Sequence, residues 1–230
     1  MLGSPARFVD AAALGLWQAN CYVLGDLERG RAVVVDPGQH GAAYVRRVLG
    51  ERGVVCEAIL LTHGHLDHVW AVPELAADLD VPVLLHPDDR WLWDDPAAGL
   101  GLTPQLLESE LGLVWQPPTD QLDAITDGQT LSLAGYALEV RHTPGHTPGS
   151  SVFLLTDTGS DDPLLLSGDL LFAGSVGRTD LPGGSWQQQL DSLASKVLVL
   201  PDATHIAPGH GPATTLGQER ASNPYLTEIA

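Results

Sequence analysis

The sequence predicts one α/β domain with mixed sheets, spanning residues 1–230. Three observations predict it. Short continuous apolar runs, of buried-strand length and closed by turn residues, alternate with helix-period segments up to about residue 118. From about residue 120 the pattern turns strand-rich. No repeat, low-complexity tract or linker divides the chain, and 230 residues are ample for a sizeable core.

In order, "CYVLGD" (21–26) and "RAVVVDPG" (31–38) read as strands, the second a buried run ending in a turn. "GAAYVRRVLGERG" (41–53) reads as a helix. Val45, Val48 and Leu49 make its apolar stripe, Arg46 and Arg47 face water, and Gly53 stops it. "EAILLTH" (57–63) is a buried strand, and "LDHVWAVPELAADLD" (66–80) a helix with Pro73 as a kink or break. "VPVLLHP" (81–87) is a strand. Residues 88–118 hold short helical pieces with Trp91, Trp93 and Trp115, either an apolar lid or surface helices tucking aromatics into the core. "QTLSLAG", "YALEVRHTPGH", "SVFLLTD" and "PLLLSGDLLF" follow as strands, then a helix over 185–200 and a last short strand over 203–207.

Composition narrows the function classes. The formal net charge is −18, and Lys196 is the one lysine among eleven basic residues. Such a surface repels nucleic acid and anionic membrane at long range. No apolar run reaches membrane-spanning length, and Asp10 interrupts what would be a signal segment, so a cytoplasmic protein is expected. Cys21 and Cys56 lie on separate strands and read as free buried thiols, which leaves any metal chemistry to His and Asp.

"THGHLDH" concentrates His63, His65, Asp67 and His68 where a buried strand meets a helix start, which no core requires. On an extended segment His63 and His65 point to one side and can grip one ion, with His146 of "HTPGHTPGS" as the third ligand. Asp67 and His68 face a second position, with His210 of "APGHGP" as its third, and Asp169 of "SGD" can bridge the two. Two centres sharing a carboxylate and a hydroxide sit roughly 3.5–4 Å apart. His40, His86 and His205 read as satisfied polar residues, and His142 as a possible partner of a ligand.

"THGHLDH", "HTPGHTPGS", "SGD" and "GHG", in that order and spacing, resemble the metallo-β-lactamase superfamily. "VVVDPG" resembles its first motif, whose aspartate, here Asp36, supports the metal loops. The resemblance implies a four-layer αβ/βα sandwich with the site at a shared edge of two sheets. "LFAGSVGRTDLPGGS" (171–185) and "NPYL" (223–226) resemble the glyoxalase II-like hydrolases, which cleave S-acyl thioesters of a low-molecular-weight thiol, as in hydroxyacylglutathione. The implied cofactors are two divalent ions, zinc first, with iron or manganese as substitutes. The implied nucleophile is a metal-bridging hydroxide, oriented by Asp67 and Asp169. Arg178 is the candidate for steering a polar group of the substrate, or it pairs with Asp180.

The chain lacks the long C-terminal helical extension of glutathione-binding members, and after His210 only Arg220 is basic. The thiol carrier is therefore either glutathione, as in S-D-lactoylglutathione, or an uncharged mycothiol-type thiol. A small-molecule thioester, with no nucleic acid or membrane partner, is the expectation. Rival readings are a mononuclear-iron persulfide dioxygenase, which would need His63, His146 and Asp169 but not the second set, and a non-catalytic metal-binding module. A nuclease would want a basic face, and a lactamase export.

Overall fold

The computed structural model describes residues 6–118, 120–157, 162–226 and 229. In the first half, strands β1 (Arg7–Leu14), β2 (Ala19–Asp26), β3 (Arg31–Val35), β4 (Val55–Leu60), β5 (Val83–Leu85) and β6 (Leu122–Ala124) form a sheet in that spatial order. β1, β2 and β3 pair antiparallel, and β3 to β6 run parallel. Helix α1 (Gly41–Arg52) fills the β3–β4 crossover. Helices α2 (Leu66–Val69) and α3 (Val72–Leu79) fill the next, and α4 (Arg90–Asp94), α5 (Pro96–Gly99) and α6 (Pro104–Leu111) lie between β5 and β6.

The second half contributes β7 (Thr130–Leu133), β8 (Tyr136–His142), β9 (Ser151–Leu155), β10 (Leu164–Gly168), β13 (His205–Pro208) and β14 (Thr214–Thr215) to a second sheet, ordered β14-β13-β10-β9-β8-β7. A small hairpin, β11 (Leu171–Phe172) and β12 (Ser175–Val176), and helices α7 (Trp186–Ser192) and α8 (Leu216–Ser222) complete the described strands and α-helices.

Period-two alternation of side chains makes the layers. On β3, Val33 and Val35 face the second sheet, while Ala32 and Val34 face α1 and α3. On β9, Phe153 and Leu155 turn inward, while Val152 and Leu154 join Leu193 and Leu216 on the outer face. Both faces of each sheet are thus covered, which is why these strands read as continuous apolar runs. The order is helix, sheet, sheet, helix: a mixed α/β sandwich.

Most differences from the sequence expectations have local causes. Strand β1 carries no apolar run because it is an edge strand with one deeply buried side chain, Phe8. The segment 66–80 is two helices, because Ala71 donates its N–H to Pro37 (2.9 Å) rather than continuing the first. Of the two alternatives at Pro73 the break holds and the kink does not: it occupies the first turn of α3, where a missing N–H costs nothing. The helix over 185–200 ends as α7 and a π-helical turn over Leu193–Val197, with Leu198 N–H on Leu193 O at 2.8 Å. β14 and α8 follow the strand expected to be last.

Two of the 88–118 aromatics, Trp93 and Trp115, serve the core. Trp93 is fully buried, and Trp115 meets it edge-on at 5.7 Å while donating its Nε1–H to the Trp93 carbonyl at 2.6 Å. Cys21 and Cys56 are buried free thiols, whose pKa values burial raises. Among the described residues no helix is long and apolar enough to cross a membrane.

Candidate metal centre

The loops after β3, β4, β8, β10 and β13 open on one edge shared by the two sheets, and every ligand candidate sits on one of them or, for Asp67 and His68, on α2 directly after the β4 loop. Backbone bonds lock that edge: Ser151 N–H on Thr62 O (2.8 Å) and Asn20 N–H on Gly209 O (2.7 Å) join the sheets beside the site.

His63, His65 and His146 are buried, with ring centroids 4.6–4.9 Å apart and near-perpendicular planes. His65 Nδ1 and His146 Nε2 lie 2.8 Å apart. The second group is tighter in its contacts to a carboxylate. Asp67 Oδ2 is 3.1 Å from His210 Nε2 and 3.6 Å from His68 Nε2, and the two Nε2 atoms are 3.3 Å apart. Asp169 reaches both: Oδ2 lies 3.5 Å from His146 Nε2 and from His210 Nε2, and Oδ1 lies 3.4 Å from His68 Nε2. A side chain at Gly209 would collide with Asp169 Oδ1 and His68 Cε1, so only glycine lets the β13 loop close on this cluster.

The other ring nitrogen decides which atom faces the centre. His68 Nδ1–H is held by Asp36 Oδ2 at 3.0 Å, His146 Nδ1–H by the Arg178 carbonyl at 2.7 Å, and His210 Nδ1–H by the Trp17 carbonyl at 3.1 Å. His63 Nδ1–H points at Thr62 Oγ1 (3.0 Å), whose own proton goes to Asp36 Oδ2 at 2.6 Å. Asp36 therefore orients a histidine of each group, one directly and one through Thr62. Four rings present Nε2 inward, while His65 turns Nδ1 in.

A divalent cation suits this donor set. His63 Nε2 and Asp169 Oδ1 are buried at the centre with no hydrogen-bond partner, which is costly unless a ligand satisfies them. Burial, reinforced by the other rings, holds His63 far below the ordinary histidine range and His65 down at about 3, so both offer lone pairs. His68 is driven the other way. Burial opposes its charge, but Asp67, Asp169 and Asp36 overcome it and raise the pKa to about 10. Three carboxylates around one buried ring mark a place for positive charge. Asp67 is held well below the carboxylate range, because His68 and His210 outweigh its burial.

Sequence reasoning missed Asp89. Fully buried, it takes Gly64 N–H (2.9 Å) and Thr147 O–H (2.7 Å) on Oδ2, and Gly149 N–H (2.6 Å) on Oδ1. It thereby ties the His63/His65 loop to the His146 loop. Trp17 was missed too; it lines the cleft above the centre with Phe172 and Leu100. Arg178 also lines the cleft, but its guanidinium is clamped by Asp180. His142 touches no ligand ring. It stacks on His86 at 3.8 Å and bonds the Pro148 carbonyl at 2.8 Å. His40 and His205 stand apart from the cluster, His40 as the N-cap of α1 and His205 on β13.

Known proteins share this arrangement's fold. The metallo-beta-lactamase superfamily model matches residues 14–210. An uncharacterized protein of Mycobacterium tuberculosis is 42% identical over 94% of this chain and 96% of its own length. The probable metallo-hydrolase YqgX of Bacillus subtilis is 37% identical over 93% of this chain and 94% of its own. The hydroxyacylglutathione hydrolase GloC of Haemophilus influenzae is 34% identical over 95% and 97%. Among solved structures, the BLEG-1 B3 metallo-beta-lactamase superposes with a TM-score of 0.82 at 37% identity, covering 96% of this chain and 100% of that one. TTHA1623 in a di-iron-bound form gives 0.75 at 37% identity, over 94% and 100%. With the family model across most of its length and relatives this similar end to end, the chain belongs to the metallo-β-lactamase superfamily of metallo-hydrolases.

Proposed function

We propose that the protein hydrolyses S-acyl thioesters of a low-molecular-weight thiol at a two-metal centre. The observation that carries the reading is Asp169, whose two oxygens face both ligand groups. The likeness to GloC supports thioester chemistry, and the di-iron-bound form of TTHA1623 supports two ions. His63, His65 and His146 would hold one ion, and Asp67, His68 and His210 the other, with Asp169 between; zinc suits imidazole and carboxylate donors. Bound there, the ions supply Lewis acidity, which polarises a carbonyl and brings the pKa of water towards neutrality.

The chain's residues do the rest. Asp67, kept ionised, accepts a hydrogen bond from water at its carboxylate and fixes the direction of attack. Asp36 holds His68 in one tautomer through the reaction. Thiolates leave readily, so no strong general acid is needed. Apolar side chains line the cleft beside the centre.

The test is a substrate panel with metal analysis of the purified protein. Thioesters should turn over at least about 10²-fold faster than β-lactams or phosphodiesters, with two metals per chain. Faster turnover of a β-lactam or phosphodiester would overturn the assignment. So would one iron per chain with oxygen consumed on a persulfide.

A further inference from the structure

Six apolar side chains wall the cleft over the metal centre: Trp17, Leu66, Leu100, Phe172, Val176 and Leu181. Its volume is about 370 Å³, enough to enclose a small ligand. They come from three separate regions: the β1–β2 loop, the α2 and α5 segment, and the β11–β12 hairpin with the loop after it. Apart from histidines, the one basic lining residue is Arg178, and Asp180 takes its Nε–H and Nη2–H at 2.7 Å each.

The same holds along the chain. Each of the eleven Lys and Arg side chains has a carboxylate partner within 4.0 Å. Arg220, the remaining basic residue beyond His210, pairs with Asp202 and lines a different cavity with Ala194, Leu198 and Leu226. A carrier bearing two carboxylates, as glutathione does, therefore meets no unpaired Lys or Arg at the cleft, on a chain of net charge −18. It could displace Asp180 from Arg178, but that swaps one carboxylate for another and gains little. The polar lining residues are the ligand candidates and the paired Arg178, so the remaining walls favour an apolar acyl group over a hydroxyacyl one.

We propose that this cleft takes thioesters of an apolar acyl group on an uncharged thiol carrier, with Trp17 and Phe172 as the residues that select the acyl chain. The proposal rests on the thioesterase reading above and narrows it. Apolar pockets discriminate by size and by area removed from water, so each added methylene should be felt.

The experiment compares kcat/KM of the metal-loaded protein on S-acetyl, S-butyryl and S-D-lactoyl esters of N-acetylcysteamine, which is uncharged, and of glutathione, at low and high salt. Butyryl should exceed acetyl by about tenfold or more on either carrier. The uncharged carrier should lead at low salt, and the gap should narrow as salt screens the surface. Asp180→Ala, which frees the Arg178 guanidinium, should narrow it too. Trp17→Ala and Phe172→Ala should each lower the butyryl-to-acetyl ratio about tenfold, which a general loss of fold would leave unmoved. Preference for the glutathione esters at low salt, or an unchanged acyl ratio in both variants, overturns the proposal and leaves the thioesterase reading standing. No turnover of any thioester overturns both.

Discussion

The two ligand groups at the sheet edge solve one problem by different means. His63, His65 and His146 form a buried, all-imidazole group, in which burial penalises the charged forms of His63 and His65 and keeps both neutral. Asp67, His68 and His210 form a mixed group that is partly open to solvent, with the His210 side chain 26% exposed. There a buried histidine is held positive by three carboxylates. One group is prepared for a cation by packing, the other by field. The difference teaches where each is fragile: the first to the geometry of its loops, the second to its charges.

Asp169 is where the comparison can be broken hardest, since it belongs to both groups. Asp169→Asn removes the charge that faces the two positions together. Activity should fall on the order of 10³-fold, and metal content should drop from two per chain towards one, while the far-ultraviolet circular dichroism is retained. His146→Ala and His210→Ala should each leave about one metal per chain, but at different positions. Near-wild-type turnover and metal content in Asp169→Asn would show that the carboxylate bridges nothing.

The residues that orient the ligands separate the groups further. Asp89→Asn leaves one acceptor oxygen where three donors from two loops converge. The metal held by His63, His65 and His146 should weaken roughly 10–100-fold. Competition with a chromophoric chelator reads it directly, and the second metal should change less. Asp36→Asn should instead weaken both, since Asp36 reaches His68 directly and His63 through Thr62. Equal losses of both metals in Asp89→Asn would remove the distinction.

The ligands themselves are legible in the chain, because histidine and aspartate stand at the ends of apolar runs where a core has no use for them. The layers are legible for a related reason: β3, β4, β9 and β10 are buried on both faces, and strands so placed read as unbroken apolar stretches. What orients the ligands is not legible. Asp89 bonds the backbone of Gly64 and Gly149, and His146 and His210 are held by the carbonyls of Arg178 and Trp17. A carbonyl belongs to every residue, so no side-chain pattern announces it. In "HPDDR" the second aspartate looks like an ordinary acid at a helix start, and only the fold brings it under both metal loops. Asp36 is the exception, recognisable because the motif that carries it is itself distinctive.

The mildest effect sharpens the contrast through protons. His63 and His65 have folded pKa values below the ordinary 6.5, so in the metal-free chain they are already neutral at pH 7, and an ion binding them displaces no proton from either ring. His68 has a folded value of about 10, above its unfolded 6.5, so at pH 7 it carries a proton that an ion must expel. The sign for stability follows. The stability that charged His68 gives the metal-free fold is fully present below pH 6.5 and is lost as pH rises through about 10. Neutral His63 and His65 act oppositely, and the fold loses stability as pH falls below 6.5 towards about 3, where His65 takes up its proton. The His68 proton alone should therefore make affinity at the second position rise by up to about tenfold per pH unit between 7 and 10, while His63 and His65 add no such dependence at the first. Calorimetric titration of the metal-free protein in two buffers of different ionisation enthalpy would read more proton release with the metal at Asp67, His68 and His210 than with the other. Equal proton release for both would mean that the two groups are electrostatically alike, and that the carboxylates around His68 do not set the second position apart.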